Sequence, residues 1–166
     1  MISKEIATKV LEQCLVTGGD FAEIFEEDCI NNNLMLIDSK IENVLGGRTY
    51  GIGIRIFKGF NSVYAYTNDN SLESMLDTAY KAALALGRVG EEKMIVLNNC
   101  KRTTDINLIK LYPNSVDYQH KINIMKKACK SAKDYNSEIS QVNVNYLDKE
   151  QNVLVANTEG LYTEDK

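Results

Sequence analysis

A single histidine, His120, occurs in the 166 residues, and its helical neighbours three and four positions on are Asn123 and Ile124. A catalytic zinc wants about three protein ligands with one position left open, and neither neighbour can join His120 in such a set. The cysteines, Cys14, Cys29, Cys100 and Cys129, are far apart and form no Cys-x-x-Cys pair. That excludes a thioredoxin-like redox motif and a zinc knuckle. No nucleophile–base pair can be argued from residues this sparse. The sequence therefore predicts no catalytic residue and no metal ligand.

Long apolar runs are missing too. Nothing approaches the roughly 18 consecutive apolar residues of a membrane span. The start, Met1-Ile2-Ser3-Lys4-Glu5, lacks the charged-then-apolar layout of a signal peptide. The expectation is a cytoplasmic chain with reduced thiols and no membrane partner. Clustered positive charge is scarce, the net charge being −4. The one dense basic group, Lys121, Lys126, Lys127, Lys130 and Lys133, falls on one predicted helix and reads as a solvated face. With no aromatic residues interleaved, direct nucleic-acid binding is not expected. An acidic run, Asp20, Glu23, Glu26, Glu27 and Asp28, lacks the Asp-x-Asp-x-Asp-Gly loop of a calcium site. It also reads as a solvated strand face.

What the chain does have is 44% hydrophobic residues, enough for one domain or two small subdomains with a core. Ile52, Ile54 and Ile56 recur with the period of two that puts three β-branched side chains on one strand face. Gly51, Gly53, Arg55 and Phe57 take the other face, and after Lys58-Gly59 a return strand runs from Val63 to Thr67. Two glycines on one face suggest that something approaches the sheet closely there. Packing against a helix or strand would suffice. Arg55 projects from the same face, where a guanidinium either forks a carboxylate from outside or makes a cross-strand ion pair.

Apolar spacing predicts a helix over 3–17, strands over 21–30 and 33–38 joined around Asn31-Asn32, the hairpin over 50–67, and a helix over 71–86 capped by Ser71 or Asn70. A connector over 90–114 holds one strand at 94–97 and closes at Pro113. The order then restarts, with a helix over 116–135 and strands over 138–147 and 152–157. Each half opens its first strand with Glu-Ile, at Glu23-Ile24 and Glu138-Ile139. The expected fold class is α+β: two related helix-strand-strand subdomains with mixed, mostly antiparallel sheets and helices packed on them. The expected division is 1–89, connector 90–114 and 115–166.

Several segments in order, Asp20-Phe21-Ala22-Glu23-Ile24-Phe25, Lys40-Ile41-Glu42-Asn43, the Gly-x-Gly-x-Arg strand at 51–55, Ala65-Tyr66, the alanine-rich helix around Ala79, Ala82, Ala83 and Ala85, and Leu154 to Gly160, carry a resemblance. Together they resemble the first domain of the TldD/PmbA family, zinc metallopeptidases once described as modulators of DNA gyrase. The Gly-x-Gly-x-Arg form and the Ala-Tyr return look more like the TldD branch. One departure is Val63, where the family usually has glycine.

The resemblance implies a non-catalytic N-terminal domain that walls a substrate cleft and joins in subunit assembly. The family's helical His-Glu-x-x-x-His belongs to a later catalytic domain, absent from this sequence, and zinc is expected there and not in this chain. Gly51, Gly53 and Arg55 would line the cleft or a domain interface. The implied partners are that C-terminal domain, a family member in a homo- or heterodimer, and a peptide substrate. The alternative is a stand-alone peptide- or protein-binding module without activity.

Overall fold

The computed structural model describes residues 1–86, 95–99 and 109–166. In chain order the elements are α1 (Lys4–Cys14), β1 (Phe21–Ile37), β2 (Lys40–Lys58), β3 (Asn61–Thr67), α2 (Leu72–Ala85), β4 (Asn98–Asn99), a 3-10 turn (Pro113–Ser115), α3 (Tyr118–Tyr135), β5 (Asn143–Asn157) and β6 (Leu161–Asp165). The strands are hydrogen-bonded in the order β3-β2-β1-β5-β6-β4. β2–β3 and β5–β6 pair antiparallel, and the short β4–β6 pair is parallel. The fold is α+β with a mostly antiparallel sheet, as the sequence predicts. Helix-strand-strand occurs twice, as α1-β1-β2 and α3-β5-β6.

Two compact units divide the chain, 1–28 with 50–104 and 152–166, and 29–49 with 105–151. β1, β2 and β5 contribute residues to both. In the first unit, Ile52, Ile54 and Ile56 of β2 and Ala22 and Ile24 of β1 form a core with Ala7, Val10, Leu11 and Cys14 of α1 and Met75, Ala79, Ala82 and Ala83 of α2. The alanines keep α2 slim where it packs on α1 and β3. Both helices start on serine: Ser3 Oγ accepts from Ile6 N at 3.3 Å and Ser71 Oγ from Ser74 N at 3.3 Å. A Cβ on Gly19 would sit 2.8 Å from Ile56 Cγ2, so only glycine lets the chain pass from α1 into β1 under that side chain. Cys14 lies inside this core, and burial pushes its thiol up to about 12, which keeps it an unreactive apolar residue.

One acidic residue departs from the expected solvated face. Glu26 is 1% exposed, its carboxylate accepting from Ile2 N at 2.7 Å and from the Tyr50 hydroxyl at 2.8 Å. Alternation decides this: Ala22, Ile24 and Glu26 share the core face of β1, while Phe21, Glu23 and Phe25 share the other. The Tyr162 hydroxyl donates to Ile2 O at 2.9 Å. Burial, with the neighbouring Glu164 carboxylate, pushes its pKa up to about 12, so it stays a donor.

The second unit has its own core of Leu34 and Leu36 from β1 with Met125 and Cys129 from α3. Here the structure corrects three expectations. β1 is not broken at Asn31-Asn32, and β5 is not broken at 148–151. Of the polar residues taken for turns, Asn32 and Asp148 are instead members of a buried network. Asn32 donates to Asp148 Oδ1 at 2.7 Å and Asn114 Oδ1 at 3.0 Å, and accepts from the Tyr118 hydroxyl at 2.6 Å. Lys121 is likewise no member of a solvated face. It is buried, its ammonium 2.7 Å from Asp148 Oδ2 and near the rings of Tyr118 and Tyr146. A strand tolerates Asn and Asp where every polar atom finds a partner.

The reversal between β1 and β2 falls at Asp38-Ser39, both with positive φ (46° and 70°), the conformation two-residue hairpin turns require. β2 consequently begins ten residues earlier than the predicted hairpin at 50. β5 starts at Asn143, and Glu138 lies in a turn before it, so Glu138-Ile139 is not the counterpart of Glu23-Ile24. The strand expected at 94–97 is shifted: Ile95 and Leu97 are buried without regular structure, and Asn98–Asn99 form β4. Met94 lies outside the described residues.

Burial works against the charged Asp148 carboxylate, but hydrogen bonds from Lys121 and Asn32, the Lys121 charge and the Tyr146 hydroxyl together hold its pKa below the usual range. Replacing Lys121 by Met would strand that carboxylate, and urea unfolding should show a loss of about 3 kcal/mol. Because the folded pKa is lowered, the Asp148 contribution is complete above its unfolded value of about 3.9 and fades as pH falls through the folded one. The stability gap between the natural chain and Asp148→Asn should therefore shrink on titrating from about pH 6 to about pH 3.

Candidate functional site

The alternation that buries Ile52, Ile54 and Ile56 turns Gly51, Gly53, Arg55 and Phe57 to the opposite face of β2. β3 pairs with them in a fixed register, Gly53 opposite Tyr66 and Arg55 opposite Tyr64. The turn at Gly59 (φ 55°) is held by Asp20, whose carboxylate accepts from Gly59 N at 2.7 Å. Lys58 donates to Thr17 O at 3.1 Å, and Thr17 donates to Ala83 O at 2.6 Å. The hairpin is thus tied to the helix layer from behind, while its front face is open.

The front face is aromatic. Phe25, Tyr64 and Tyr66 are all exposed, and Phe60 at the turn is fully so. Phe21 and Phe57 meet at 5.8 Å between ring centroids. What approaches Gly53 is Tyr64, its diagonal neighbour across the hairpin. A Cβ on Gly53 would lie 2.5 Å from the Tyr64 hydroxyl oxygen and 3.0 Å from Cε2. The ring buries Gly53 and occupies the room that a side chain would take. Gly51 is less constrained, its added Cβ reaching only Thr67 O at 3.8 Å.

Arg55 lies between Phe57 and Tyr64, its guanidinium 5.9 and 5.7 Å from the ring centroids. Its nearest carboxylate is Glu23, at 4.0 Å. That pair is long and half exposed, so it contributes little. The guanidinium is held in orientation by two rings and keeps donors available toward solvent. Chemically the face offers stacking surface and one oriented cation beside the Glu23 carboxylate.

A zinc site does not fit the donors among the described residues. Among the described residues no group of three His, Cys, Asp or Glu side chains converges. His120 is exposed on α3. Cys14, Cys29 and Cys129 are buried and unpaired by disulfides, and Cys100 lies outside the described residues. No helix among those residues is long and apolar enough to cross a membrane. Of the remaining lysines of α3, Lys130 pairs with Asp134 at 2.9 Å and Lys133 with Asp38 at 2.7 Å. Sequence reasoning missed the Tyr64 contact and the Lys121–Asp148–Asn32 network, and only the hairpin register could have signalled the first.

Residues 22–83 match the family model of PmbA/TldA metallopeptidase domain 1, and residues 111–166 that of the PmbA/TldA metallopeptidase central domain. The second match extends the expected resemblance beyond the first domain. A metalloprotease of Methanocaldococcus jannaschii is 29% identical over 153 residues, 89% of this chain and 32% of that protein. A candidate modulator of DNA gyrase from Bacteroides thetaiotaomicron superposes with a TM-score of 0.77 at 17% identity, over 99% of this chain and 39% of its own. TldE from Thermococcus kodakarensis superposes with a TM-score of 0.56 at 17% identity, over 89% of this chain and 34% of its own. The chain thus spans about a third of the length of the proteins it matches.

The role of Gly53 is open to a double-mutant cycle. Gly53→Val should lower stability by only about 1 kcal/mol, because the Tyr64 ring is exposed and can swing aside. In a Tyr64→Ala background the same change should be neutral or stabilising, since valine favours strands. Thermal melts of the four proteins supply the comparison.

Proposed function

The chain belongs to the PmbA/TldD metallopeptidase family. We propose that it is the non-catalytic N-terminal part of a zinc metallopeptidase of the TldD type. In this reading its open aromatic face, with Gly51, Gly53 and Arg55, walls a peptide-binding cleft, and the chain takes part in subunit assembly with a family member. The observation that supports it is the combination of two matched family domains with described residues among which no three His, Cys, Asp or Glu side chains converge. Zinc and the hydrolytic water would belong to a C-terminal catalytic domain. The division into 1–89, a connector over 90–114 and 115–166 is part of the same proposal, supported by the gap between the matched segments 22–83 and 111–166.

In the cleft, Arg55 would hold a peptide carboxylate while Tyr64 and Tyr66 cover apolar side chains. These groups bind and orient, and no proton moves through them. The exposed aromatic face also suits a stand-alone peptide-binding module, and the gene discriminates the two. A reading frame continuing past Lys166 into His-Glu-x-x-x-His supports the peptidase, and a stop codon there supports the module.

The purified chain should carry no stoichiometric zinc and cleave no peptide, as read by metal analysis after mild chelation and by a peptide hydrolysis assay. Tightly held zinc accompanied by hydrolysis would overturn the proposal.

A further inference from the structure

We infer that the open face of β2 selects extended peptides in which an internal acidic side chain and an apolar side chain stand two residues apart. Arg55 holds the first, and Phe25 and Tyr66 hold the second. This rests on the cleft reading above and gives that cleft a substrate class.

Cross-strand rows set the spacing. Phe21 meets Phe57, and Glu23 meets Arg55. The strand period of two then brings Phe25 beside Gly53 on one side, while Tyr66 stands opposite Gly53 on the other. The Arg55 row and the Gly53 row are thus two residues apart on β2, a separation of about 6.8 Å. Side chains on one side of an extended peptide repeat at the same interval. A peptide lying along β2 therefore presents successive same-side groups to the two rows.

The first row carries the charge. Arg55 is half exposed, and its pair with Glu23 is 4.0 Å long, well beyond the roughly 2.7–2.9 Å of a charge-assisted hydrogen bond. The fork of N–H donors is left for an incoming carboxylate. Tyr64 adds a second donor beside it. Its ring lies 5.7 Å from the guanidinium and its hydroxyl lies over Gly53, with no hydrogen bond to the described residues. A peptide's terminal carboxylate suits the face poorly, because such groups are captured in nests of backbone N–H. Here the N–H groups of paired strands lie in the sheet plane. Side chains alone point outward, and they fit an Asp or Glu within a chain.

The second row is an aromatic saddle. Gly53 contributes no side chain between Phe25 and Tyr66, which are 44% and 77% exposed. An apolar side chain laid between them covers both rings.

NMR titration of the isotopically labelled 166-residue chain tests this with the blocked peptide Ala-Glu-Ala-Phe-Ala. One comparison replaces its Glu by Gln, and another makes Glu and Phe adjacent. The first peptide should shift the signals of Arg55 and Tyr66, and each comparison peptide should bind about tenfold more weakly. Arg55→Gln should make the Glu and Gln peptides equal. Glu23→Gln removes the competing carboxylate and should tighten the Glu peptide, an outcome that a merely structural role for Arg55 would not produce. The spectra themselves report whether each variant is folded. Equal binding of the Glu and Gln peptides by the natural chain overturns the acidic selectivity, and equal binding of the spaced and adjacent peptides overturns the two-residue code. Either result leaves the cleft reading standing. Absence of binding by every peptide overturns both.

Discussion

The burial of Ile52, Ile54 and Ile56 under α1 and α2 is the constraint from which the first unit follows. Alternation along a strand is obligatory, so seating three isoleucines against the helices leaves Gly51, Gly53, Arg55 and Phe57 no choice but the other face. A one-residue slip of β2 would exchange the two sets, exposing three isoleucines and burying a guanidinium. Burying each isoleucine is worth on the order of 2 kcal/mol, and an unpaired buried guanidinium adds a further penalty. The slipped register is therefore not competitive. The open face is aromatic because the other face is aliphatic.

The same logic, with charge in place of hydrocarbon, organises the second unit. Asn32 on β1, Asp148 on β5 and Lys121 on α3 lie inward at positions where a purely apolar core would carry aliphatic side chains. Each is costly to bury alone. Together, with Tyr118 and Asn114, they leave no buried side-chain polar atom unpartnered among the described residues. Such a network is sensitive to geometry, since removing one partner leaves the rest desolvated. It fixes how α3 is set against β1 and β5 more strictly than Met125 and Cys129 do, because dispersion contacts tolerate small shifts and hydrogen bonds do not.

Family membership and local chemistry meet on the open sheet face. The first and central domains of the metallopeptidase family account for the two matched segments. The donor inventory accounts for the lack of a metal centre among the described residues. The proposed reading gives this chain a role in recognition, for which aromatic rings and one oriented guanidinium are suited.

Period and composition alone determined the α+β class, the two helices α1 and α2, the pairing of 52–58 with a return strand and the Ser71 cap, because each depends on residues close in sequence. That His120 has no second histidine to join it is read from the sequence alone. Tertiary structure decided the rest. Asn31-Asn32 and 148–151 look like turns to any local rule, yet they lie within β1 and β5 because Asn32 and Asp148 find each other 116 residues apart. Glu26 and Lys121 look solvated for the same reason, their partners being distant in sequence. Whether a polar residue makes a turn or an inward contact depends on what stands opposite it, and only the folded chain supplies that neighbour.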